Sequence, residues 1–404
     1  MKVVMLGWEL PPYNSGGLGI ACHGLCEALA GSGADIDFIL PYDADHNIDF
    51  MNIRSALPAG VTNVQSAGNS YESYKYTHTD KTYSWHDLFS YQASYEQAIG
   101  DLEFTEPFDV IHAHDWLTFR AALRLRQKYN RPVLMHVHSI EADRAGGSHG
   151  NPMVREIEET CLNLADGIIA VSEHTKRAIM REYDIPSESI HVIHNSILPN
   201  MYRDVISQEN DYRVVAALKG QGYQVVANIG RLTVQKGLTH LLRAFAIVHD
   251  RNPKTLLVIA GSGEQKNELI ALAAELDCSR DVFFSDFVRG KKWHDTFAIA
   301  DLFIMPSVSE PFGLTPLESI LHGTPAIISK QSGVSEILHN VLKVDFWDEH
   351  KLASYILNCF EYPELIQEIQ KNAYLEVQNM SWHETAHHMN KTYAKYRYPA
   401  QERA

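Results

Sequence analysis

Gln224-Val-Val-Ala-Asn-Ile229 runs into Gly230-Arg-Leu-Thr-Val-Gln-Lys-Gly237 and then into Leu238-Thr-His-Leu-Leu-Arg-Ala-Phe-Ala-Ile-Val-His249. A β-branched run of strand length, a polar loop bounded by glycines and a stretch with apolar residues at helical spacing make one strand–loop–helix unit. The unit recurs in both directions. Strand-like runs follow at Thr255 to Ala260, Val282 to Phe284, Leu302 to Met305 and Ala326 to Ser329. They precede it at Lys2 to Leu6, Asp35 to Leu40, Asp109 to His112, Val133 to Val137, Gly167 to Val171 and Ile190 to Ile193. Such alternation builds parallel sheets, because consecutive parallel strands need a long crossover, usually a helix. The series breaks at a polar, irregular stretch around Leu198 to Gly222 and then restarts. The expected fold class is therefore α/β with two Rossmann-like domains, residues 1–198 and 199–380, and a terminal helix in 381–404 that crosses back to the first. Residues 47–85, rich in Asn, Ser, Tyr and Thr, read as an insertion whose tyrosines could line a groove or simply cover surface.

With 404 residues, 45% hydrophobic and 21% charged, the chain exceeds one comfortable core and has globular composition. A formal charge of −15 argues against a nucleic-acid partner, whose phosphates require a surplus of Lys and Arg, and against adhesion to anionic lipid. Neither a signal peptide nor a stable membrane insertion is expected from MKVVMLGWELPPYNSGG or from any later apolar run. Five scattered cysteines without a CxxC spacing argue against a disulfide framework and point to a reducing, cytoplasmic setting.

Open α/β sheets bind ligands beyond the carboxyl ends of their strands, so the loops there hold the candidate chemistry. Gly16-Gly17-Leu18-Gly19 opens a helix from about Leu18 to Leu29, as either a tight turn or a backbone approach to an anion. His112 and His114, like His136 and His138, stand at i and i+2 on one strand face. With no HExxH and no third-ligand spacing, no metal is expected. A histidine bonded to a substrate hydroxyl is the preferred reading, with His138 and Asp115 foremost. Arg231 and Lys236 can converge on one diphosphate, the first as a fork and the second as a point charge, or remain solvated. Ala260 to Glu264 reads as a further wall or a turn. In Ser307 to Glu318, Thr315, Pro316 and Glu318 read as a capping box, whereas Glu310 lacks a local partner that a hydroxyl-rich ligand would supply.

Taken in order, GGLG at Gly16 to Gly19, HAHDW at His112 to Trp116, GRL with KG at Gly230 to Gly237, and Glu310 with Glu318 resemble the family 4 retaining glycosyltransferases of the GT-B fold, which include archaeal-type glycogen synthases. The resemblance covers nearly the whole chain and implies two Rossmann-like domains facing across a cleft. It implies transfer of a hexosyl group, glucosyl foremost, from a nucleotide diphosphate sugar such as ADP-glucose or UDP-glucose to an acceptor hydroxyl, with glycogen or another α-glucan as one product. Arg231 and Lys236 match the diphosphate cations, Glu318 the ribose carboxylate and Glu310 the carboxylate at the transferred sugar's hydroxyls. Phe312, Gly313, Leu314 and Thr315 match the backbone cradle for sugar and phosphate, with Gly16 and Gly17 on the donor side and Asp115 on the acceptor side. His138 matches the histidine at the sugar's 6-hydroxyl. Neither metal nor cofactor is implied. Asn14 stands where bacterial and plant starch-synthase relatives carry lysine.

Two alternatives follow from the same loops: a nucleotide-sugar 2-epimerase of this fold, or a non-catalytic sugar-binding protein of two lobes. The paired cations Arg231 and Lys236 favour transfer. No GxGxxG follows the first strand, which disfavours a dehydrogenase.

Overall fold

The computed structural model describes residues 1–14, 16–57, 61–66, 74–78, 81–85, 88–199 and 210–397, with backbone alone for 61–66, 74–78 and 81–85. They belong to two compact units: Met1–Glu141 with Asn151–Ser196 and Ser381–Ala404, and Ala142–Gly150 with Ile197–Met380.

In the first unit the strands are β1 (Lys2–Leu6), β2 (Asp35–Leu40), β3 (Asn52–Ser55), β4 (Val61–Ser66), β5 (Tyr74–His78), β6 (Lys81–Trp85), β7 (Val110–His114), β8 (Val133–Val137), β9 (Gly167–Ala170) and β10 (Ile190–Val192). Seven form one sheet in the order β10-β9-β8-β7-β1-β2-β3, every pair parallel. Strands β7 and β8 are buried along their whole length, as expected where helices cover both faces of a parallel sheet. The chain builds outward from β1 through β2 and β3, then returns to β1's other edge with β7. The switch point thus lies between β1 and β7.

The insertion resolves into two parts. β3 extends the main sheet as an edge strand, and β4, β5 and β6 form a separate antiparallel sheet. The expectation that its tyrosines line a groove concerns side chains outside those described.

The C-terminal helix Trp382–Tyr396 packs on the helix Gly17–Gly31. The Trp382 indole packs on the Gly24 backbone, where a Cβ would stand 2.5 Å from the indole nitrogen, so only glycine allows the approach. Ser381 caps the helix by accepting from the His383 amide.

In the second unit the strands are β11 (Gln224–Ile229), β12 (Thr255–Ala260), β13 (Val282–Ser285), β14 (Leu302–Met305), β15 (Ala326–Ser329) and β16 (Leu342–Val344). Their order is β13-β12-β11-β14-β15-β16, all parallel. The helix Leu238–Arg251 buries Leu238, Leu241, Leu242, Phe245 and Val248 against this sheet, the stripe that the opening stretch of sequence forecasts. Here the switch point lies between β11 and β14. The polar stretch expected to divide the domains falls partly on 200–209, outside the described residues, as does 398–404 of the terminal segment. No helix among the described residues is long and apolar enough to cross a membrane. All five cysteines are free and buried.

Trp382→Ala removes a buried indole that joins the terminal helix to Gly24. Chemical denaturation should show a loss of about 3–5 kcal/mol; a loss below about 1 kcal/mol would show that the helix is held elsewhere.

Candidate active site

In a doubly wound sheet the loops on either side of a switch point diverge and leave a crevice at the strands' carboxyl ends. In the second unit these are the loops after β11 and β14, which carry Lys236 and Glu310. Their ammonium and carboxylate meet: Lys236 Nζ donates to Glu310 Oε2 at 2.6 Å. Ser307 Oγ, fully buried at the end of β14, donates to the same oxygen at 2.9 Å. The partners expected of a ligand therefore come from the protein itself, Ser307 from Glu310's own loop and Lys236 from the loop after β11. The side chains are 20% and 10% exposed, so the pair is shielded enough to be worth more than a surface ion pair yet remains open on one side.

The backbone holds this meeting in place. The Val308 amide donates to the Gln235 carbonyl at 2.9 Å, which ties the 3-10 turn Val234–Lys236 to the loop after β14. Gly237 follows with φ of 65°, and a Cβ there would stand 2.1 Å from the Pro306 carbonyl oxygen. Glu310 is fixed from its other side, its amide donating to Gln331 O and its carbonyl accepting from the Gly333 amide, each at 2.9 Å. Arg231 lies in the same β11 loop, with Nη2 donating to Gln235 Oε1 at 3.1 Å. Ser309 Oγ donates to Asp143 Oδ1 at 2.5 Å, which explains why Ala142–Gly150 groups with the second unit.

Phe312 is buried and its carbonyl accepts from the Val334 amide at 2.7 Å. Gly313, Leu314 and Thr315 lie half-buried at the start of the helix Thr315–Leu321. The expected capping box does not form. Leu314 is the N-cap and makes no side-chain cap bond, while Thr315 already lies inside the helix and its hydroxyl points to Met305 Sδ at 4.0 Å. With Pro316 as the second helical residue, the frame is one residue earlier than the box requires. Glu318 is buried on this helix.

In the first unit the corresponding loops follow β1 and β7. Gly16 is the N-cap of the Gly17–Gly31 helix, and Gly17 its first residue. The Gly19 amide donates to Glu9 Oε1 at 3.2 Å, so the anion at this helix start is a carboxylate of the chain itself. Asn14 Nδ2 donates to the Gly16 carbonyl at 2.9 Å.

Asp115 caps β7 with φ 60° and ψ 167°, a region nearly reserved for glycine that costs about 1–3 kcal/mol. Its Oδ1 accepts from the amides of His138 at 2.7 Å and Ser139 at 3.2 Å. Charge-assisted bonds contribute about 1.5–3 kcal/mol each, enough to hold the strained residue. Asp115 therefore fixes the backbone at His138, the first residue beyond β8.

His138 is not isolated. His138 Nε2 lies 3.0 Å from His114 Nδ1, and His112 Nε2 lies 3.1 Å from His136 Nδ1. The Tyr393 hydroxyl of the terminal helix stands 2.6 Å from His112 Nδ1. Burial lowers the pKa of His112 and of His138 to about 3, and drives His114 and His136 well below the ordinary value. All four are neutral at physiological pH.

Sequence reading brought forward Lys236, Glu310, Asp115 and His138 but missed Glu9, Ser307 and Gln235. Glu9 could have been suspected as an acid within the apolar run Trp8-Glu9-Leu10, while Ser307 and Gln235 have no signal beyond their place in the loops.

A family model described as Glycosyl transferases group 1 matches residues 214–376, and one described as Glycosyltransferase Family 4 matches residues 15–199. An uncharacterized glycosyltransferase of Methanocaldococcus jannaschii is 30% identical over 344 residues, 84% of this chain and 83% of its own length. A glycogen synthase of Mycobacterium tuberculosis is 27% identical over 348 residues, 84% of this chain and 80% of its own. In fold, the chain is similar to Anabaena HepE in complex with UDP-glucose, with a TM-score of 0.70 and 21% identity across 98% of this chain and 100% of that one.

Gly237→Ala should force apart the β11 and β14 loops and destabilise the second unit by more than about 1 kcal/mol, read by denaturation; an unchanged midpoint would refute the close approach. For His112 and His138 the folded pKa of about 3 lies below the unfolded one, so the unfolded chain binds more protons between pH about 3 and 6.5, and His114 and His136, also lowered, act in the same direction. Stability should then fall as pH falls through that window, by up to about 1.4 kcal/mol per pH unit for each histidine kept neutral. A flat urea midpoint from pH 7 to 4 would contradict this.

Proposed function

Because the chain belongs to the family 4 glycosyltransferases of the GT-B fold, we propose that it is a retaining, metal-independent hexosyltransferase that moves a glucosyl group from ADP-glucose or UDP-glucose to an acceptor hydroxyl, an α-glucan end foremost. The observation that carries this reading is the Lys236–Glu310 pair at the switch point of the second sheet. The glycogen synthase among the relatives supports a glucan product, and the UDP-glucose complex of the fold neighbour supports a nucleotide sugar as donor.

Departure of the nucleotide diphosphate develops negative charge. Lys236 and Arg231, placed in one loop, meet that charge without reorganising, which is where preorganised electrostatics lower a barrier most. Glu310 takes the hydroxyls of the transferred sugar. Lys236 and Ser307 both hold Oε2 of its carboxylate, and in this reading Glu310 acts as a binding group, not as a covalent nucleophile. Glu318 takes the ribose, and the backbone from Phe312 through Gly313 and Leu314 to Thr315 cradles sugar and phosphate. Gly16 and Gly17 serve the donor as well. His138, neutral and fixed through its amide by Asp115, takes the sugar's 6-hydroxyl, and Asp115 lies on the acceptor side. The acceptor hydroxyl enters on the face the diphosphate leaves and gives its proton to a donor phosphate oxygen, so the anomeric configuration is retained and no cofactor takes part.

Transfer from a panel of nucleotide sugars, assayed with EDTA present, tests the reading. One glucosyl donor should give an α-linked product, and Lys236→Ala and Glu310→Ala should each lower the rate at least about a hundredfold while circular dichroism stays unchanged. Near-normal turnover in both variants, or a β-linked product, would overturn it.

A further inference from the structure

Beneath the helices Gly17–Gly31 and Trp382–Tyr396 lies a group of side chains most of which hexosyl transfer does not use. His112 and His114 project from β7 and His136 from β8, with His138 just beyond it. The parallel register sets His114 directly beside His136. The rings stack, with centroids 4.4 Å apart for His112 and His114 and 4.2 Å for His136 and His138.

Hydrogen bonding accounts for only part of this cluster. With protons on the δ nitrogens, His136 donates to His112 Nε2, His112 to the Tyr393 hydroxyl and His114 to His138 Nε2. The Nε2 atoms of His114 and His136 then carry bare lone pairs. Both residues are at most 1% exposed, and neither Nε2 has a hydrogen-bond partner among the described residues. An unmade bond at a buried polar atom costs on the order of 1–3 kcal/mol, and here it is left twice in one cluster. With the δ N–H bonded to a neighbour and the Nε2 lone pair left over, each of these two rings is in one of the two tautomers in which histidine ligates a metal.

We propose that the cluster binds one Zn2+ ion, held by His114 and His136 through Nε2 with His112 and Cys22 as the remaining ligands. One ring nitrogen from each of His112, His114 and His136 falls within 4.8 Å of the others, and Cys22 Sγ lies within 4.8 Å of ring nitrogens of His114 and His138. Tetrahedral Zn2+ with bonds of about 2.1 Å sets its nitrogen ligands about 3.4 Å apart, so the three histidine nitrogens close by up to about 1.4 Å, and Cys22, which lies near His114, swings in as the fourth ligand. His112 exchanges its contact with His136 for the metal, and Cys22 releases its thiol proton to solvent on binding. Glu9 and Asp115, buried carboxylates in the loops after β1 and β7 and each 4% exposed, offset the ion's charge. A mixed imidazole and thiolate set suits Zn2+ better than Mg2+ or Ca2+, which require oxygen. The site would pin the terminal helix, through Tyr393 on His112, to the sheet. It does not depend on the transferase reading, and the metal plays no part in the transfer chemistry.

The test is the metal content of full-length protein prepared without a polyhistidine tag from zinc-supplemented culture. About one Zn2+ per chain is expected, with an increase in Tm when Zn2+ is returned to chelated protein. Co2+ substitution should give tetrahedral d–d bands and a thiolate charge-transfer band. His136→Gln, which keeps a donor for His112, and Cys22→Ser should lower zinc content at least about tenfold. Should a variant fail to fold, the Co2+ spectrum of the unaltered protein decides by itself. Less than about 0.1 equivalent of zinc, together with no Tm response and no Co2+ bands, would overturn the proposal.

Discussion

The ion pair between Lys236 and Glu310 is the contact on which the second unit's chemistry depends. The two residues are 74 positions apart in the chain, and a 2.6 Å bond joins them only because β11 and β14 are neighbours in the sheet. Sheet order brings the two loops together, Gly237 lets them touch at Pro306, and the Gln235–Val308 backbone bond fixes their register. What results is a cation and an anion held side by side before any ligand arrives. Such an arrangement suits a substrate with phosphate at one end and hydroxyls at the other, and it spends no binding energy on ordering flexible side chains.

The first unit solves a different problem. Its switch-point loops carry carboxylates, Glu9 and Asp115, aimed at backbone amides. Asp115 takes up a strained conformation to hold the His138 amide, which fixes the backbone at the first residue beyond β8. The histidines that extend from His138 back to Tyr393 are kept neutral by burial, so they can bond to hydroxyls or ligate a metal without first losing a proton.

Much of this was legible in the sequence. The period of β-branched runs and amphipathic stretches placed the parallel strands of both sheets, and strand ends pointed to Glu310, Lys236, Asp115 and His138. Local patterns erred where a tertiary contact outweighs them. Thr315 reads as a cap but lies inside its helix, and Asn52–Ser55 lies within an apparent insertion yet adds an edge to the main sheet. Two His pairs, read one strand at a time, lacked a third ligand, since the register that sets His114 beside His136 is not written in either segment. Of the partners of Glu310, Lys236 was hidden for the same reason, since it belongs to another strand's loop, whereas Ser307 stands three residues away in the same loop without a distinguishing pattern.

If Lys236 and Glu310 act as one unit on the donor, their contributions to binding cannot be independent. A double-mutant cycle with Lys236→Met and Glu310→Gln, measured as calorimetric affinity for the nucleotide sugar, tests this directly. The account predicts a coupling of about 1–3 kcal/mol between the two positions. Additive losses, or donor affinity indifferent to both, would contradict it.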